Sequence, residues 1–199
     1  MASHRVLIAC KVFEDELQQL LPQKTDLKII WLDAALHADL ERLERELTCA
    51  LSQAAEARAE VQLFLGVGCH PDIIELAQKF GARLSPVKNC LEAFVGLQQK
   101  ELEEDRTMLM TPGWVRAWPD IMRALGWDQV DVRINLGRYN RILLLEPGVN
   151  PLSDEEILTF FDLTQVPIEI QPLDLGNFQR LIDQMIMQQP GNHEPGMLG

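Results

Sequence analysis

Short apolar runs alternate along this chain of 199 residues with longer segments of helical periodicity. The runs suited to strands are, in order, Arg5 to Cys10, Leu27 to Leu32, Val61 to Gly66, Ala82 to Val87, Thr107 to Thr111, Arg141 to Glu146 and Val166 to Gln171. The run from 141 to 146 is apolar without alternation, which is typical of a parallel strand covered on both faces. The pattern therefore predicts an α/β fold with an open, mostly parallel, doubly wound sheet of the Rossmann or flavodoxin kind and helices on both of its faces.

The helical segments between these runs carry recognisable apolar stripes and end signals. In the clearest one, leucines recur at helical spacing, at Leu36, Leu40, Leu43, Leu47 and Leu51. We expect a long, half-exposed helix there, with Cys49 beside the stripe and in the core. The segment from Ser153 to Glu156 has the pattern of a capping box and predicts a helix start. Residues 128–140 combine features of a strand and of a loop, and no element is assigned to them.

Composition and charge restrict the domain count and the partners. Hydrophobic residues make up 47% of the chain, enough for a core, so we expect one domain over residues 1–187. Residues 188–199 hold two prolines and three glycines and are expected to form a flexible tail. The formal net charge of −12 argues against nucleic acid and anionic membranes as partners, because both attract basic surfaces. Small molecules and partner proteins remain.

The expected location is the cytoplasm. The apolar stretch near the N-terminus is far shorter than the core of a signal peptide, and no later run has the length of a membrane span. Four cysteines in a chain with a substantial core are not needed as disulfide staples. In a reducing compartment such residues are buried thiols, metal ligands or reactive groups.

Three of the cysteines follow predicted strands. Cys10 closes the first strand, Cys69 and Cys90 come shortly after the third and fourth, and His37 follows the second. The carboxyl ends of parallel strands meet at one edge of a sheet, so these four side chains are expected to converge there. Three cysteines and a histidine form a recognised tetrahedral zinc site. The paired CxxC motifs of common zinc sites are absent, so spacing alone leaves buried free thiols as an equal alternative.

Other residues near the same edge are candidates for binding or catalysis. Gly68, Gly113 and Trp114 lie in glycine-containing turns between strand and helix, where backbone N–H groups can hold an anion and an indole can line a pocket. His70 is an alternative ligand or acid–base group, although a polar cap is the more common role next to a proline. Glu16 is either a carboxylate at a helix start or a group that orients His37.

The chain lacks the GxSxG, HExxH and CxxC motifs, which argues against common hydrolases, metalloproteases and thioredoxin-like proteins. A cysteine nucleophile activated by histidine remains possible on these residues, for example Cys69 with His37 or His70. A site with three thiolates also disfavours the activation of water, because the thiolates quench the Lewis acidity of the metal.

A set of short motifs identifies a resemblance that covers roughly Val6 to Asp183. The motifs are Ile8-Ala9-Cys10 with Glu16 downstream, Leu36-His37, Gly66 to Cys69, Asn89-Cys90 and Met110 to Val115, and the most specific of them is Thr111-Pro112-Gly113-Trp114. Together they resemble the prokaryotic family known as domain of unknown function 1638. The neighbours Ala38, His70 and Asn89 depart from the pattern of that family.

The resemblance implies a metal site, because Cys10, His37, Cys69 and Cys90 all match the pattern. Zinc is the expected metal, and an iron–sulfur cluster on the three cysteines is the alternative. The resemblance also implies a link with corrinoid-dependent methyltransferase systems, as an enzyme or as an accessory protein. A structural α/β module with buried thiols and no metal is the third function class.

Overall fold

A computed structural model describes residues 5–21 and 27–187 of the chain. The predicted flexible tail, residues 188–199, lies outside the described residues, and the single-domain assignment stays a prediction. The strands are β1 (Arg5–Cys10), β2 (Leu27–Leu32), β3 (Glu60–Phe64), β4 (Arg83–Leu84), β5 (Thr107–Met110), β6 (Arg141–Glu146) and β7 (Ile168–Pro172). Three of them, β1, β2 and β6, have the bounds that the sequence predicts, and β4 is much shorter than predicted.

The strands form two parallel sheets. The first has the order β2-β1-β3-β4 and the second the order β5-β6-β7, and every neighbouring pair is parallel. The predicted α/β doubly wound class is confirmed. One continuous sheet was expected, whereas the described strands divide between two, and the two-residue β4 ends the first sheet with few backbone hydrogen bonds.

The helices are α1 (Glu14–Leu20), α2 (Leu40–Glu56), α3 (Ile73–Lys79), α4 (Cys90–Val95), α5 (Gln99–Leu102), α6 (Pro112–Leu125), α7 (Gln129–Leu136), α8 (Asp154–Thr164) and α9 (Gly176–Met187). Short 3₁₀ turns cover Lys11–Phe13, Ala34–Ala38, Gly96–Gln98 and Glu104–Arg106. None of the helices in the described part of the chain has the length and apolar content needed to cross a membrane.

The long leucine-striped helix begins later than predicted. Asp39 accepts a hydrogen bond from the N–H of Arg42 at 3.0 Å and caps α2, while Leu36 and His37 belong to the preceding 3₁₀ turn. The prediction that Cys49 lies in the core is wrong, since its side chain is exposed. At 100° per residue, position 49 faces away from the buried stripe that contains Leu47.

The unassigned segment 128–140 contains a helix. Asp128 accepts hydrogen bonds from the N–H groups of Val130 and Asp131, and Asp131 accepts one in return from the N–H of Asp128. This capping box begins α7, which buries Val132 and Leu136. The predicted capping box at Ser153 is confirmed at the start of α8.

The core fixes the segments that follow β1. In β1, the side chains of Leu7, Ile8 and Ala9 have no solvent exposure. Next to that strand, four phenylalanines pack together, with ring centroids 4.7 to 5.6 Å apart: Phe13, Phe64, Phe94 and Phe178. Because Phe13 ends the turn after Cys10 and Phe94 lies in α4, this cluster holds two of the cysteine-bearing segments in place.

Candidate functional site

Three buried cysteines lie along the carboxyl edge of the first sheet. Cys10 is the last residue of the central strand β1, which pairs with β2 on one side and with β3 on the other. Cys69 follows β3 in a turn, and Cys90 is the first residue of α4. All three side chains are less than a tenth exposed, with relative accessibilities of 2%, 8% and 9% in the order of the chain. The topology therefore brings together cysteines that are far apart in the sequence.

The three thiols are close enough to influence one another's ionisation. Burial is the main cause that raises the pKa of Cys10, and the charges of Cys90 and Cys69 raise it further. Burial also raises the pKa of Cys69, against a weaker opposing effect of a backbone hydrogen bond. A cluster of this kind holds its protons at neutral pH unless a cation replaces them.

The Trp114 indole N–H points at one of these sulfurs. Its Nε1 donates to the Cys90 Sγ at 3.0 Å, from the first turn of α6. Burial raises the pKa of Cys90 to about 12, the hydrogen bond from Trp114 opposes that shift, and the charge of Cys69 adds to it. This contact places Trp114 beside Cys90, and the prediction that its indole lines a binding pocket stays a prediction.

The His37 ring also lies next to Trp114, with the two ring centroids 5.8 Å apart. Its Nδ1 is 3.0 Å from the carbonyl oxygen of Ala34. A carbonyl only accepts, so Nδ1 carries the proton and Nε2 keeps its lone pair. Burial lowers the pKa of His37, which favours the neutral ring. This is the tautomer and the backbone contact that metal-ligating histidines use.

The ligand types are present, but they do not form a ready-made coordination shell. Within residues 5–21 and 27–187, no group of three or more His, Cys, Asp or Glu side chains has an arrangement that could hold a metal ion. The observed geometry is therefore a cluster of neighbouring thiols beside a neutral imidazole and an indole.

Glycines bring the surrounding turns into close contact. A Cβ atom at Gly68 would lie 2.9 Å from the carbonyl oxygen of Lys88, and one at Gly113 would collide with the carbonyl oxygen of Val12. The N–H of Gly68 donates to the carbonyl of Lys88 at 2.8 Å, so it is not free for an anion. The glycine at 68 thus serves close packing between the turns that carry Cys69 and Cys90.

A model of the family described as "Protein of unknown function (DUF1638)" matches residues 31–182. This chain belongs to that family. The matched span includes His37, Cys69, Cys90 and Trp114, and it begins after Cys10. No curated protein and no solved structure matches the chain.

His70, the alternative ligand, has a structural role. Its ring is buried and its Nδ1 accepts a hydrogen bond from the N–H of Asp72 at 3.1 Å. The interpretation of this histidine as a polar cap agrees with that bond, although the side chain is not on the surface. His37 is therefore the better candidate for the imidazole of the site.

Glu16 is a buried carboxyl group with an unused oxygen. The residue is 2% exposed, and its Oε2 has no hydrogen-bond partner among residues 5–21 and 27–187. Burial raises the pKa of Glu16 to about 7, with smaller contributions in the same direction from Asp15 and Glu146 and an opposing one from Arg116. The Nδ1 hydrogen bond of His37 goes to Ala34, so it does not provide the link to Glu16 that the sequence suggested.

Arg116 is a residue that the sequence analysis missed. Its Nε donates to the Glu156 Oε1 at 2.9 Å, and its Nη1 contacts the Asp15 Oδ2 at 3.3 Å. It also donates to the carbonyls of Asn150 at 2.9 Å and Pro151 at 3.1 Å. The hydrogen bond from this guanidinium is the main cause that lowers the pKa of Glu156 to about 2. The sequence held one indication of this role, because Arg116 is the single charged residue in a helix start that is otherwise apolar.

Proposed function

We propose that this protein binds a zinc ion through the thiolates of Cys10, Cys69 and Cys90 and the Nε2 of His37. The observation that carries the proposal is the convergence of three buried thiols whose charges influence one another. A second support is the His37 tautomer, which leaves Nε2 free to bind a metal.

The donor set fits zinc in its chemistry. Thiolate sulfur and neutral imidazole nitrogen are the ligands that zinc selects, and Cys3His is a known structural combination. Burial disfavours uncompensated thiolates at these positions, so a divalent cation would have to displace their protons as it binds. Because the described side chains do not form a complete metal cluster, the proposal also requires that binding draw the ligands together.

The chain's own residues define what such a site would do. Trp114 would keep its hydrogen bond to the Cys90 sulfur and thereby reduce the negative charge on that ligand. Three thiolates outweigh the two positive charges of zinc, so a bound ion would supply structure or sulfur chemistry rather than an activated water. We therefore propose that the protein does not hydrolyse generic esters, peptides or phosphates.

The partner that we propose is a corrinoid-linked methyl-transfer system, with this protein as an enzyme or as an accessory protein in the cytoplasm. This part rests on the family resemblance. A direct assay mixes methylcobalamin with a small thiol under anaerobic conditions and follows the corrinoid spectrum. An enzyme would transfer the methyl group to the thiol sulfur, release the thiol proton and leave the electron pair on cobalt as Co(I). An accessory protein would show no turnover but would still bind metal.

Metal analysis of protein purified without oxygen or added metal tests the site. We expect zinc in the wild type, a loss of metal and a lower Tm in Cys69→Ser, and unchanged metal in Cys49→Ser. The Cys49 position is a suitable control, because its thiol is exposed on α2 and accepts a hydrogen bond from Gln53 at 3.3 Å. Equal metal content in the two variants, or none in the wild type, would contradict the proposal.

The same preparation separates the alternatives. If the purified protein contains iron and inorganic sulfide and absorbs strongly in the visible range, the result would favour an iron–sulfur cluster on the three cysteines instead of zinc. Protein that folds with titratable free thiols and binds no added metal would instead be a structural module. In His37→Ala, weakened metal binding with the thiols intact would support a role of the imidazole as the fourth ligand.

A further inference from the structure

A cavity of about 380 Å³ lies between α6 and α8, outside the thiol cluster. Its apolar wall comes from Val115, Trp118 and Pro119 on α6 and from Phe160 and Leu163 on α8. Protein sites for small molecules are typically cavities of about 300 to 1,000 Å³ with apolar walls and a few polar groups. The size and the wall of this cavity fit that class.

Trp118 lines the cavity and has an unusual indole N–H. The residue is 6% exposed, and its Nε1 has no hydrogen-bond partner within the part of the chain that the structure describes. Its ring packs edge to face against Phe160, with centroids 6.1 Å apart, so the indole is held in place. A buried indole N–H normally has an acceptor, so this unpaired donor is an unusual feature of the residue that forms part of the cavity wall.

Pro119 leaves one backbone carbonyl of α6 without its usual helical donor. Proline has no N–H, so Pro119 cannot donate the helical hydrogen bond to the carbonyl oxygen of Val115. Val115 also lines the cavity.

The charges at the cavity disfavour an anion. Arg116, the cation on the wall, is paired with Glu156 at 2.9 Å and with Asp15 at 3.3 Å. Glu155 also lines the cavity, so the carboxylates outnumber the guanidinium there. A neutral ligand therefore avoids both the repulsion and the loss of an existing ion pair.

We propose that the cavity between α6 and α8 binds a neutral, largely apolar small molecule that packs against the Trp118 side chain. The site goes beyond the metal proposal, because it uses none of the cysteines. It lies one helical turn from Trp114, which donates to Cys90, so α6 connects the two sites. Binding of the neutral molecule does not require metal.

Nuclear magnetic resonance of the indole N–H groups tests the proposal with benzamide as the probe and the full chain labelled with ¹⁵N. The protein has four tryptophans, and Trp→Phe variants assign their signals. If Trp118→Phe does not fold, the other three variants assign their own signals, and the remaining signal belongs to Trp118. We expect the Trp118 signal to shift saturably with benzamide, while the signals of Trp31 and Trp127 stay in place. Benzoate, the anionic analogue, should shift it far less.

Two variants on α8 provide the matched control. Thr159 is exposed and lines the cavity, so Thr159→Phe should fill it and weaken benzamide binding about tenfold or more. Leu158 is 62% exposed and is not part of the wall, so Leu158→Phe should bind as the wild type does. Thermal unfolding checks that both variants fold. An unmoved Trp118 signal, equal binding in the two variants, or equal shifts with benzoate would overturn the proposal.

Discussion

Replacing Glu16 with glutamine should remove a pH-dependent part of the free energy of unfolding. The Glu16 carboxyl group is 2% exposed and has an unpartnered oxygen, so burial disfavours its charged form. Asp15 and Glu146 add repulsion, and Arg116 compensates only in part. The folded state therefore keeps this proton at pH values where the unfolded chain releases it.

The magnitude follows from the pKa of the two states. Burial raises the pKa of Glu16 from 4.5 to about 7 in the folded protein. At about 1.4 kcal/mol per pKa unit, this difference corresponds to roughly 3 kcal/mol. The contribution is fully present below pH 4.5 and is lost as the pH rises to about 7, because the folded state binds more protons in that window.

Urea unfolding at a series of pH values, followed by tryptophan fluorescence, measures the effect. The free energy of unfolding of Glu16→Gln minus that of the wild type should increase by up to roughly 3 kcal/mol across this pH window. Glu14→Gln is the matched control on α1, because the Glu14 carboxylate is half-exposed and accepts a hydrogen bond from Gln18. Parallel profiles of the wild type and Glu16→Gln would refute the reasoning.

Three further substitutions test the packing around the site. Gly113→Ala should lower the free energy of unfolding by about 2 kcal/mol or more, because the added Cβ would collide with a backbone carbonyl. The control Gly126→Ala has open space around the Cβ and should cost only about 1 kcal/mol, because of the positive φ at that position, and chemical denaturation compares the two variants. Arg116→Lys should lower the free energy of unfolding by about 1 to 3 kcal/mol, because lysine cannot reproduce the four contacts of the guanidinium. In the same assay, the control Arg123→Lys, at an exposed ion pair, should lower it by under about 1 kcal/mol. Leu47→Ala should lose about 2 to 5 kcal/mol, because the side chain has no solvent exposure; a loss near zero by calorimetry would contradict its place in the core.

The two proposed sites have separate tests, and their results do not depend on each other. Loss of metal in Cys69→Ser concerns the thiol edge of the first sheet, whereas loss of benzamide binding in Thr159→Phe concerns the space between α6 and α8. If metal binding fails and benzamide binding succeeds, only the small-molecule site of this protein would be supported. A change in the Trp114 indole signal on benzamide binding would indicate coupling along α6.

Local sequence patterns determined much of the framework. The strand β6 has its predicted bounds, Arg141–Glu146, because its four inner residues are all apolar, as in a strand covered on both faces. The capping box at Ser153 identified the start of α8, since the hydrogen bonds involved span only three residues. The positions of Cys10 and Cys69 after parallel strands indicated the edge at which they lie.

Tertiary structure decided what depends on distant parts of the chain. Asp39 caps α2 and makes it begin four residues later than the leucine pattern suggested, because the preceding turn with Leu36 and His37 packs against α6 instead. Arg116 contacts Asp15, which is 101 residues away in sequence, and no local pattern records such a contact. The cavity at Trp118 exists only because α6 and α8 pack side by side. Capping and periodicity act over one helical turn, whereas cavities and ion pairs between distant segments require the folding of the whole chain, so only the structure reveals them.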